Sequence, residues 1–287
     1  MTTNNLIEKY LPAGASVQEH GNLLAYELPA GEIVKTCENL YHRCRLPLKA
    51  IVAFDERAIT GFFRIMYVFG IPGENVFPAP CISVESGFPS LTPSIHEAST
   101  YERKIKTFFG LIPHGHPDPR PLILHENWPD NVFPLRKDFP WNSRPEMASG
   151  EFPFRKISGD GIYEIPVGPV HAGIIEPGHF RFSVIGETIF NLEIRMFYKH
   201  RGVEKLAEGK KPEECVAIAE SISGDETAAN AAAFCTAVEK ISEIKVPLRA
   251  WQIRTIFLEL ERIYSHLGDM AGMITDVAYP VGASDFY

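Results

Sequence analysis

The sequence predicts an α+β protein in which a proline-rich segment joins two folded units. Residues 1–110 combine a helical pattern with runs of β-branched and aromatic residues, which is typical of a small α+β unit. Residues 111–160 contain nine prolines, which exclude a long helix. Residues 161–287 open with a hairpin pattern and continue with alanine-rich and apolar-periodic stretches, which predict a mainly helical unit.

Length and composition bound the possible functions. The chain has 287 residues, enough for two cores, and its net charge of −8 argues against a nucleic-acid partner. Its five cysteines are scattered and none forms a C-x-x-C pair, so no zinc site or disulfide framework is expected, and a reducing cytoplasm is indicated. Neither a signal peptide nor a membrane-spanning run of about eighteen apolar residues is expected.

In the first unit, the spacing of apolar residues predicts one helix, and β-propensity predicts three strands before a second helix. Ser94 is the expected cap of that second helix, which runs toward Phe109. The predicted helix is Glu32 to Cys44, and the predicted strands are Leu48 to Phe54, Gly61 to Phe69 and Cys81 to Glu85.

The proline-rich segment also carries large apolar side chains, which argue against disorder. They are Trp128, Phe133, Leu135, Phe139 and Trp141. We therefore expect an extended strap that is pressed against a partner surface, with a plain linker as the alternative.

The second unit is predicted to begin with a short strand and a hairpin, followed by helices. Pro212 is expected at the first position of one helix, and the alanine-rich helix is expected to be central because its small side chains allow close approach. The predicted strands are Tyr163 to Val167, His179 to Ile185 and Thr188 to Met196; the predicted helices are Arg201 to Glu208, one from Pro212, Thr227 to Ser242 and one from Pro247.

A series of short motifs begins at Tyr101. They are Tyr101-Glu102-Arg103, Phe108-Phe109-Gly110, Gly115 to Arg120 and Pro134-Leu135-Arg136-Lys137-Asp138-Phe139-Pro140. In order and spacing they resemble the C-type subunit of NADH-quinone oxidoreductase (complex I). The resemblance implies a cofactor-free α+β scaffold domain at 1–110 and an extension at 111–160 that wraps neighbouring subunits.

A second series of motifs lies in residues 161–287. They are Gly168-Pro169-Val170-His171, Glu176 to Arg181, Arg201 to Leu206, Phe234 to Lys240, Val246 to Ala250 and Glu259 to Leu267. They resemble the large subunit of energy-converting, group 4 nickel–iron hydrogenases and its relative, the D-type subunit of complex I. The resemblance implies the N-terminal part of such a domain. A C-type domain fused ahead of it is typical of this class, and the chain is expected to be a fragment or a split subunit.

The nickel–iron ligands of that family come from two C-x-x-C motifs, because the metals need soft thiolates. By the resemblance, the first motif falls on Ser223 to Glu226, and the histidine that follows it falls on Asn230. Ser223 and Glu226 replace the cysteines, so an ordinary nickel–iron site is not expected and no metal is assigned. The quinone-contacting tyrosine of the D-type subunit is also absent, because Gly224 stands there.

Five residues remain as candidates for the site. By resemblance, Glu176 relays protons together with His179, and His171 lies in the loop that carries the other quinone-contacting residue of the D-type subunit. A carboxyl in a partly dry site can act in this way, but Glu176 could equally fix a loop. Arg201 and Glu204 are expected to line the same cavity, or to form a buried pair that ties a helix to the core.

Two other clusters of residues were considered as metal-binding sites. The oxygen-rich group of Asp225 and Glu226 beside Ser223 and Asn230 could bind magnesium, although a helix start capped by Ser223 or Asp225 is favoured. The remaining group is His114, His116, His125 and Asp118, for which a structural turn is favoured over a metal loop.

The function implied by the resemblance is that of an oxidoreductase subunit, rather than a stand-alone enzyme, in a membrane-associated respiratory complex. Such a complex couples electron transfer to proton or ion movement, with a quinone as a possible acceptor. The implied partners are an iron–sulfur small subunit like the B-type subunit of complex I, a ferredoxin-like iron–sulfur subunit and ion-translocating membrane subunits. The implied location is peripheral, on the cytoplasmic face of the cell membrane. The alternatives are a non-catalytic assembly scaffold, an active hydrogenase or a quinone-reducing subunit.

Overall fold

The computed structural model describes residues 10–12, 15–170 and 176–286. It divides into two compact units, Met1–Arg155 and Lys156–Tyr287. Both combine strands with helices, so the predicted α+β class is confirmed. In the described residues no helix is long and apolar enough to cross a membrane.

The first unit is built on a five-stranded sheet with strand order β1-β2-β5-β4-β3. Strands β2 and β5 run parallel, and the other neighbouring strands pair antiparallel. The elements are β1 (Val17–His20), β2 (Leu23–Glu27), α1 (Ile33–Glu38), β3 (Leu48–Asp55), α2 (Arg57–Thr60), β4 (Phe63–Phe69), β5 (Phe77–Val84), β6 (Gly87–Pro89), α3 (Ala98–Phe109) and β7 (Ile112–His114).

Three predictions for this unit need correction. The helix expected from Glu32 to Cys44 is shorter, because α1 ends at Glu38 and a π turn follows over Asn39–Arg43. Ser94 does not cap α3: the N-cap is Glu97, and the Ser94 hydroxyl donates to the carbonyl of Leu91. Strand β5 starts four residues earlier than expected, in a stretch whose prolines pair only with β2.

Helix α3 lies on the sheet and buries a carboxylate with its apolar face. Glu102 is fully buried and accepts hydrogen bonds from the Ser90 hydroxyl at 2.5 Å, the Leu91 N–H at 2.6 Å and the Thr92 hydroxyl at 2.7 Å. A buried carboxylate is tolerated when donors satisfy it, so Glu102 fixes residues 90–92 against α3.

The proline-rich strap packs on the first unit. Between β7 and β8 the described residues form no helix or strand. Proline has no backbone N–H but keeps its carbonyl oxygen as an acceptor. The Arg103 side chain donates to the carbonyl of Pro121, Lys106 donates to that of Pro119, and Arg120 donates to that of Pro153. The segment therefore lies without regular secondary structure along its own unit.

The surface that the strap covers differs from the expectation in part. Trp128 and Leu135 were expected to contact a partner, but they pack against the core of their own unit. Trp141 is 71% exposed. Residues 135–140 attach the strap to the sheet. The Asp55 carboxylate at the end of β3 accepts from the Lys137 N–H at 2.8 Å and from Nε and Nη2 of Arg57.

The second unit begins with a three-stranded antiparallel sheet of order β10-β9-β8 and continues with helices, as predicted. Pro212 is at the start of α5, also as predicted, and the long helix α7 begins after Pro247. The elements are β8 (Tyr163–Val170), β9 (Gly178–Ile185), β10 (Thr188–Arg195), α4 (Val203–Ala207), α5 (Pro212–Glu220), α6 (Thr227–Ile241), α7 (Leu248–Asp276) and α8 (Pro280–Ser284).

This sheet has its faces inverted relative to an ordinary soluble sheet. The registers place polar residues on one face, among them His179, Ser183, Glu193 and Arg195, all of them buried. The opposite face carries the apolar side chains Ile165, Val167, Leu192 and Ile194, which are exposed among the described residues. An antiparallel sheet normally buries its apolar face. Within the described chain this face is covered only in part, at Val184 and beside it.

The alanine-rich helix α6 was expected to be central. None of its residues is fully buried among the described parts of the chain. It is held to α7 by a bidentate pair, in which the Arg254 guanidinium donates to both carboxylate oxygens of Glu239 at 2.5 and 2.8 Å. A charged pair therefore contributes to the contact between the two helices.

Candidate functional site

Arg201 joins two loops of the second unit. Its Nη2 donates to Oε1 of Glu176 at 2.9 Å, and its Nη1 donates to the carbonyl of Ile222 at 3.1 Å. Both the Arg201 and Glu176 side chains are about half exposed, at 47% and 54%. The bridge connects the start of β9 to the residue directly before Ser223, which is the first of the expected ligand positions.

His179 lies near this bridge in sequence but belongs to the polar face of the sheet. It is buried on β9, opposite Arg195 of β10, and its Nδ1 lies 3.0 Å from the carbonyl of Gly168. Because a carbonyl only accepts, the proton of this bond is on Nδ1. The imidazole is thus oriented by β8 and fixed in a site with little water.

The loop 223–226 is held by helix α7. The backbone carbonyl of Asp225 accepts from the Tyr264 hydroxyl at 2.9 Å and from the Ser265 hydroxyl at 3.2 Å. Burial raises the pKa of Tyr264, and the neighbouring Glu261 carboxylate raises it further, so the phenol stays a neutral donor. Two hydroxyls of one helix therefore fix the position of the loop.

Glu261 completes this attachment by capping α6 from outside the helix. Its buried carboxylate accepts from the Ala228 N–H at 2.5 Å and from the Ala229 N–H at 2.8 Å. The first N–H groups of a helix have no partner within it, and a negative charge there also meets the positive end of the helix dipole. The expected cap by Ser223 or Asp225 is wrong, because the N-cap is Glu226 and no side chain of the cap position bonds to the helix.

The loop 223–226 contains no cysteine. Ser223 and Glu226 present a hydroxyl and a carboxylate, which are hard oxygen donors. Cys215 lies buried in α5 with its thiol donating to the Ala207 carbonyl at 3.7 Å, and Cys235 lies on α6 more than two turns beyond the loop. Across the described ranges, His, Cys, Asp and Glu side chains form no group of three that could hold a metal.

The remaining candidates are more exposed than expected or lie outside the described residues. Glu204 is exposed in the first turn of α4, and Arg201 is exposed as well, so a buried pair between them is wrong. His171 lies outside the described residues. Glu176 is half exposed, so the partly dry environment expected for a proton relay is not formed by the described part of the chain.

The histidines of the first unit do not gather into a metal loop. The His116 ring is fully buried: its Nδ1 accepts from the Asp118 N–H at 2.9 Å, and its Nε2 lies 3.2 Å from the Ser99 hydroxyl. Burial lowers the pKa of His116. This is a neutral structural histidine at a turn, as favoured from the sequence.

Glu261, Tyr264 and Ser265 were missed as site residues, although the motif that contains them was recognised. No local signal marks Glu261, because Arg254 seven residues before it and Ser265 four residues after it give it a polar side of the last predicted helix. Only the fold reveals that its donors lie more than thirty residues away in α6.

Replacing Arg201 with alanine is expected to loosen both loops, because it removes the donor to Glu176 and to the Ile222 carbonyl. Both side chains of the pair are half exposed, so the expected loss is at most about 1 kcal/mol, or roughly a fivefold rise in amide exchange at residues 222–226. Hydrogen exchange measured by mass spectrometry checks this. Arg262→Ala, which removes an exposed arginine from α7, is the control and should leave that exchange unchanged.

Comparison with known proteins gives the relationships of the chain. Residues 26–145 match the model of the family described as "Respiratory-chain NADH dehydrogenase, 30 Kd subunit". Hydrogenase-4 component G of Escherichia coli is 37% identical over 86% of this chain and 46% of its own length. Formate hydrogenlyase subunit 5 of the same organism is 37% identical over 80% of this chain and 42% of its own length.

More distant similarity extends to fused subunits. The C/D subunit of NADH-quinone oxidoreductase from Phocaeicola vulgatus is 31% identical over 62% of this chain and 38% of its own length. The chain therefore spans less than half the length of these curated relatives. A solved structure of the membrane-bound sulfane sulfur reductase, an archaeal respiratory membrane complex, aligns over 47% of this chain and 82% of its own chain, with 22% identity and a TM-score of 0.41.

Proposed function

Because the chain is related to group 4 hydrogenase subunits and to the C/D subunits of NADH-quinone oxidoreductase, with a match to the 30 Kd family at residues 26–145, we propose that it is a peripheral subunit of a membrane-associated redox complex. Its partners in this proposal are an iron–sulfur small subunit, a ferredoxin-like iron–sulfur subunit and ion-translocating membrane subunits. The complex lies on the cytoplasmic face of the membrane and couples electron transfer to proton or ion movement.

The proposal includes the absence of a working nickel–iron site. The observation that carries it is the loop 223–226, which presents oxygen groups at both expected thiolate positions. Hard oxygen donors do not replace the bridging thiolates that such a pair of metals needs. The carbonyl of Asp225 in this loop accepts from the Tyr264 hydroxyl, and the residues on either side of the loop are held by Arg201 and Glu261.

In this proposal Glu176 and His179 handle protons beside an acceptor cavity, with His171 in the adjoining loop and with Arg201 and Glu204 at its wall. The ion pair with Arg201 supports an orienting role, because it directs the Glu176 carboxylate toward the loop before Ser223. The buried imidazole of His179, fixed by the Gly168 carbonyl, supports a group held in one orientation for proton exchange.

A second candidate function is a non-catalytic assembly scaffold. The exposure of Glu176 favours it, since an exposed ion pair that fixes two loops needs no chemistry to explain it. In that case the second unit serves only to join other subunits.

The test uses the complex purified from cells that make it, with metal analysis and quinone-dependent turnover. We expect no stoichiometric nickel and no hydrogen uptake, and we expect Glu176→Gln and His171→Ala each to lower turnover. Nickel at one atom per chain together with hydrogen uptake would overturn the assignment of Ser223 and Glu226. Normal turnover in both variants, with the complex intact, would favour the scaffold.

A further inference from the structure

The turn that leads into strand β8 contains a dipeptide that occurs once in this chain. Asp160 is followed by Gly161, and no other aspartate or asparagine of the sequence precedes a glycine. Because glycine has no Cβ, its backbone nitrogen can closely approach the side-chain carboxyl of the residue before it. The pair therefore places a nucleophile and an acyl carbon at neighbouring positions.

The backbone around this pair forms a type II β-turn. The Ile162 N–H donates to the carbonyl of Gly159 at 3.2 Å, and Gly161, the third residue of the turn, has a φ of +75°. Asp160, the second residue, does not share the positive φ. A positive φ at the third residue alone defines type II and accounts for the glycine there.

The peptide unit between Asp160 and Gly161 can rotate at low cost. Type I and type II turns share the hydrogen bond between the first and fourth residues and differ in the orientation of this central peptide unit. Among the described residues the Gly161 N–H donates to no acceptor, and both residues of the pair are exposed. Rotation therefore keeps the turn closed while it carries the Gly161 nitrogen past the Asp160 carboxyl carbon.

Asp138 is also exposed but lacks this freedom. Its side chain is 67% exposed, and the residue that follows is Phe139, whose N–H donates to the carbonyl of Arg136 at 3.1 Å. The phenylalanine side chain crowds the nitrogen, and the hydrogen bond fixes its direction. Asp160 thus differs from Asp138 in the access and the freedom of the next nitrogen, whereas both carboxyl groups are open to water.

We propose that Asp160 and Gly161 form a self-modification site at which the folded chain converts an aspartyl linkage into an isoaspartyl linkage. The Gly161 nitrogen attacks Cγ of the protonated Asp160 carboxyl group. The N–H proton and the carboxyl hydroxyl leave as one water molecule, and a succinimide ring forms. A second water molecule then adds to the ring carbonyl that was the Asp160 backbone carbonyl and opens the ring there. No electron is transferred, and water is the only co-reactant.

The modification changes the chain directly before β8. The main chain then runs through Cβ and Cγ of residue 160, so it is longer by one methylene, three residues before Tyr163. Tyr163 opens β8 and pairs with Val184 of β9. Because the register of a strand is set by the chain that enters it, modified copies should exchange the first amides of β8 faster. The inference goes beyond the redox role and does not depend on it.

The test incubates the folded full chain at neutral pH in heavy-oxygen water, followed by digestion in ordinary water. Mass spectrometry with electron-transfer fragmentation then distinguishes isoaspartate from aspartate in each peptide. We expect isoaspartate at residue 160, with one heavy oxygen atom, to accumulate roughly tenfold faster than at Asp138. A protease that cleaves before aspartate and not before isoaspartate gives an independent readout.

Two variants examine the chemistry. Gly161→Ala should slow the conversion roughly tenfold, because a Cβ crowds the nitrogen and disfavours the positive φ. Asp160→Glu should abolish it, because the ring would need a sixth member, and should leave the circular dichroism of the chain unchanged. Equal rates at Asp160 and Asp138, or no isoaspartate at residue 160, would overturn the proposal. Conversion that occurs only in urea would also overturn it, because the folded turn would then protect the pair.

Discussion

Replacing Asp55 with alanine is expected to destabilise the first unit by about 3 kcal/mol, with release of the strap. The Asp55 side chain is 1% exposed and accepts from the Arg57 guanidinium twice, from the Arg57 N–H once and from the Lys137 N–H once. Its removal leaves the Lys137 N–H without its acceptor and Arg57 without its main partner. Because Arg57 is about one-third exposed, the loss should be at the low end for a broken buried pair.

Urea unfolding of the full chain measures this loss, and hydrogen exchange over residues 135–140 locates it. The matched control is Asp138→Ala, because Asp138 contacts the same Arg57 at 3.2 Å but is 67% exposed. That variant should change stability little. Equal losses in the two variants would contradict the role assigned to Asp55.

The same carboxylate gives the expected acid dependence. Hydrogen bonds from Arg57 hold the pKa of Asp55 at about 2, and Arg120 has the same effect on Asp118, which lies at the start of the strap. Since both values are lowered by folding, their stabilisation is fully present above about pH 4 and is lost as the pH falls toward 2. Asp55→Asn should flatten the dependence of unfolding free energy on pH in that window.

Replacing Glu261 with alanine is expected to cost the second unit about 3 kcal/mol, since two buried N–H groups of α6 lose a charged acceptor and the helix dipole loses its counter-charge. Amide exchange at Ala228 and Ala229 should rise more than a hundredfold, and the loop 223–226 should follow. Glu261→Gln keeps one acceptor oxygen and should cost about 1 kcal/mol.

Glu259→Ala is the control for Glu261. Glu259 is on the same helix, carries the same charge and pairs with Arg262, but both members of that pair are more than half exposed. No measurable change in exchange is expected at α6. If Glu259→Ala raised exchange at Ala228 as much as Glu261→Ala does, the capping contact would not be the cause.

Much of the architecture could be predicted because it is recorded in local patterns. The apolar spacing after Pro247 and the alternation in β4 each specify an element by its own period. The strands β1 and β2 were missed because β1, Val17-Gln18-Glu19-His20, is short and polar and is stabilised mainly by its partner. Without β2 there was also no neighbour to justify prolines in β5.

The connections of the candidate residues could not be predicted from the sequence. The family resemblance singled out Glu176 and Arg201, but their ion pair depends on loops 25 residues apart that only the fold brings together. The external cap of α6 by Glu261 spans a similar distance and could not be read from local capping rules, which consider only residues adjacent to the helix start. The proton-handling roles of Glu176 and His179 stay predictions.

The inverted faces of the β8–β9–β10 sheet bear on how a cell handles this chain before assembly. On this sheet, a newly made copy exposes isoleucine, valine and leucine side chains to water, whereas the charged side chains of Glu193 and Arg195 are buried. Such a surface is what chaperones bind and what drives precipitation at high concentration. The chain is therefore expected to depend on synthesis in step with whatever covers this face, and copies made in excess should be degraded or aggregate.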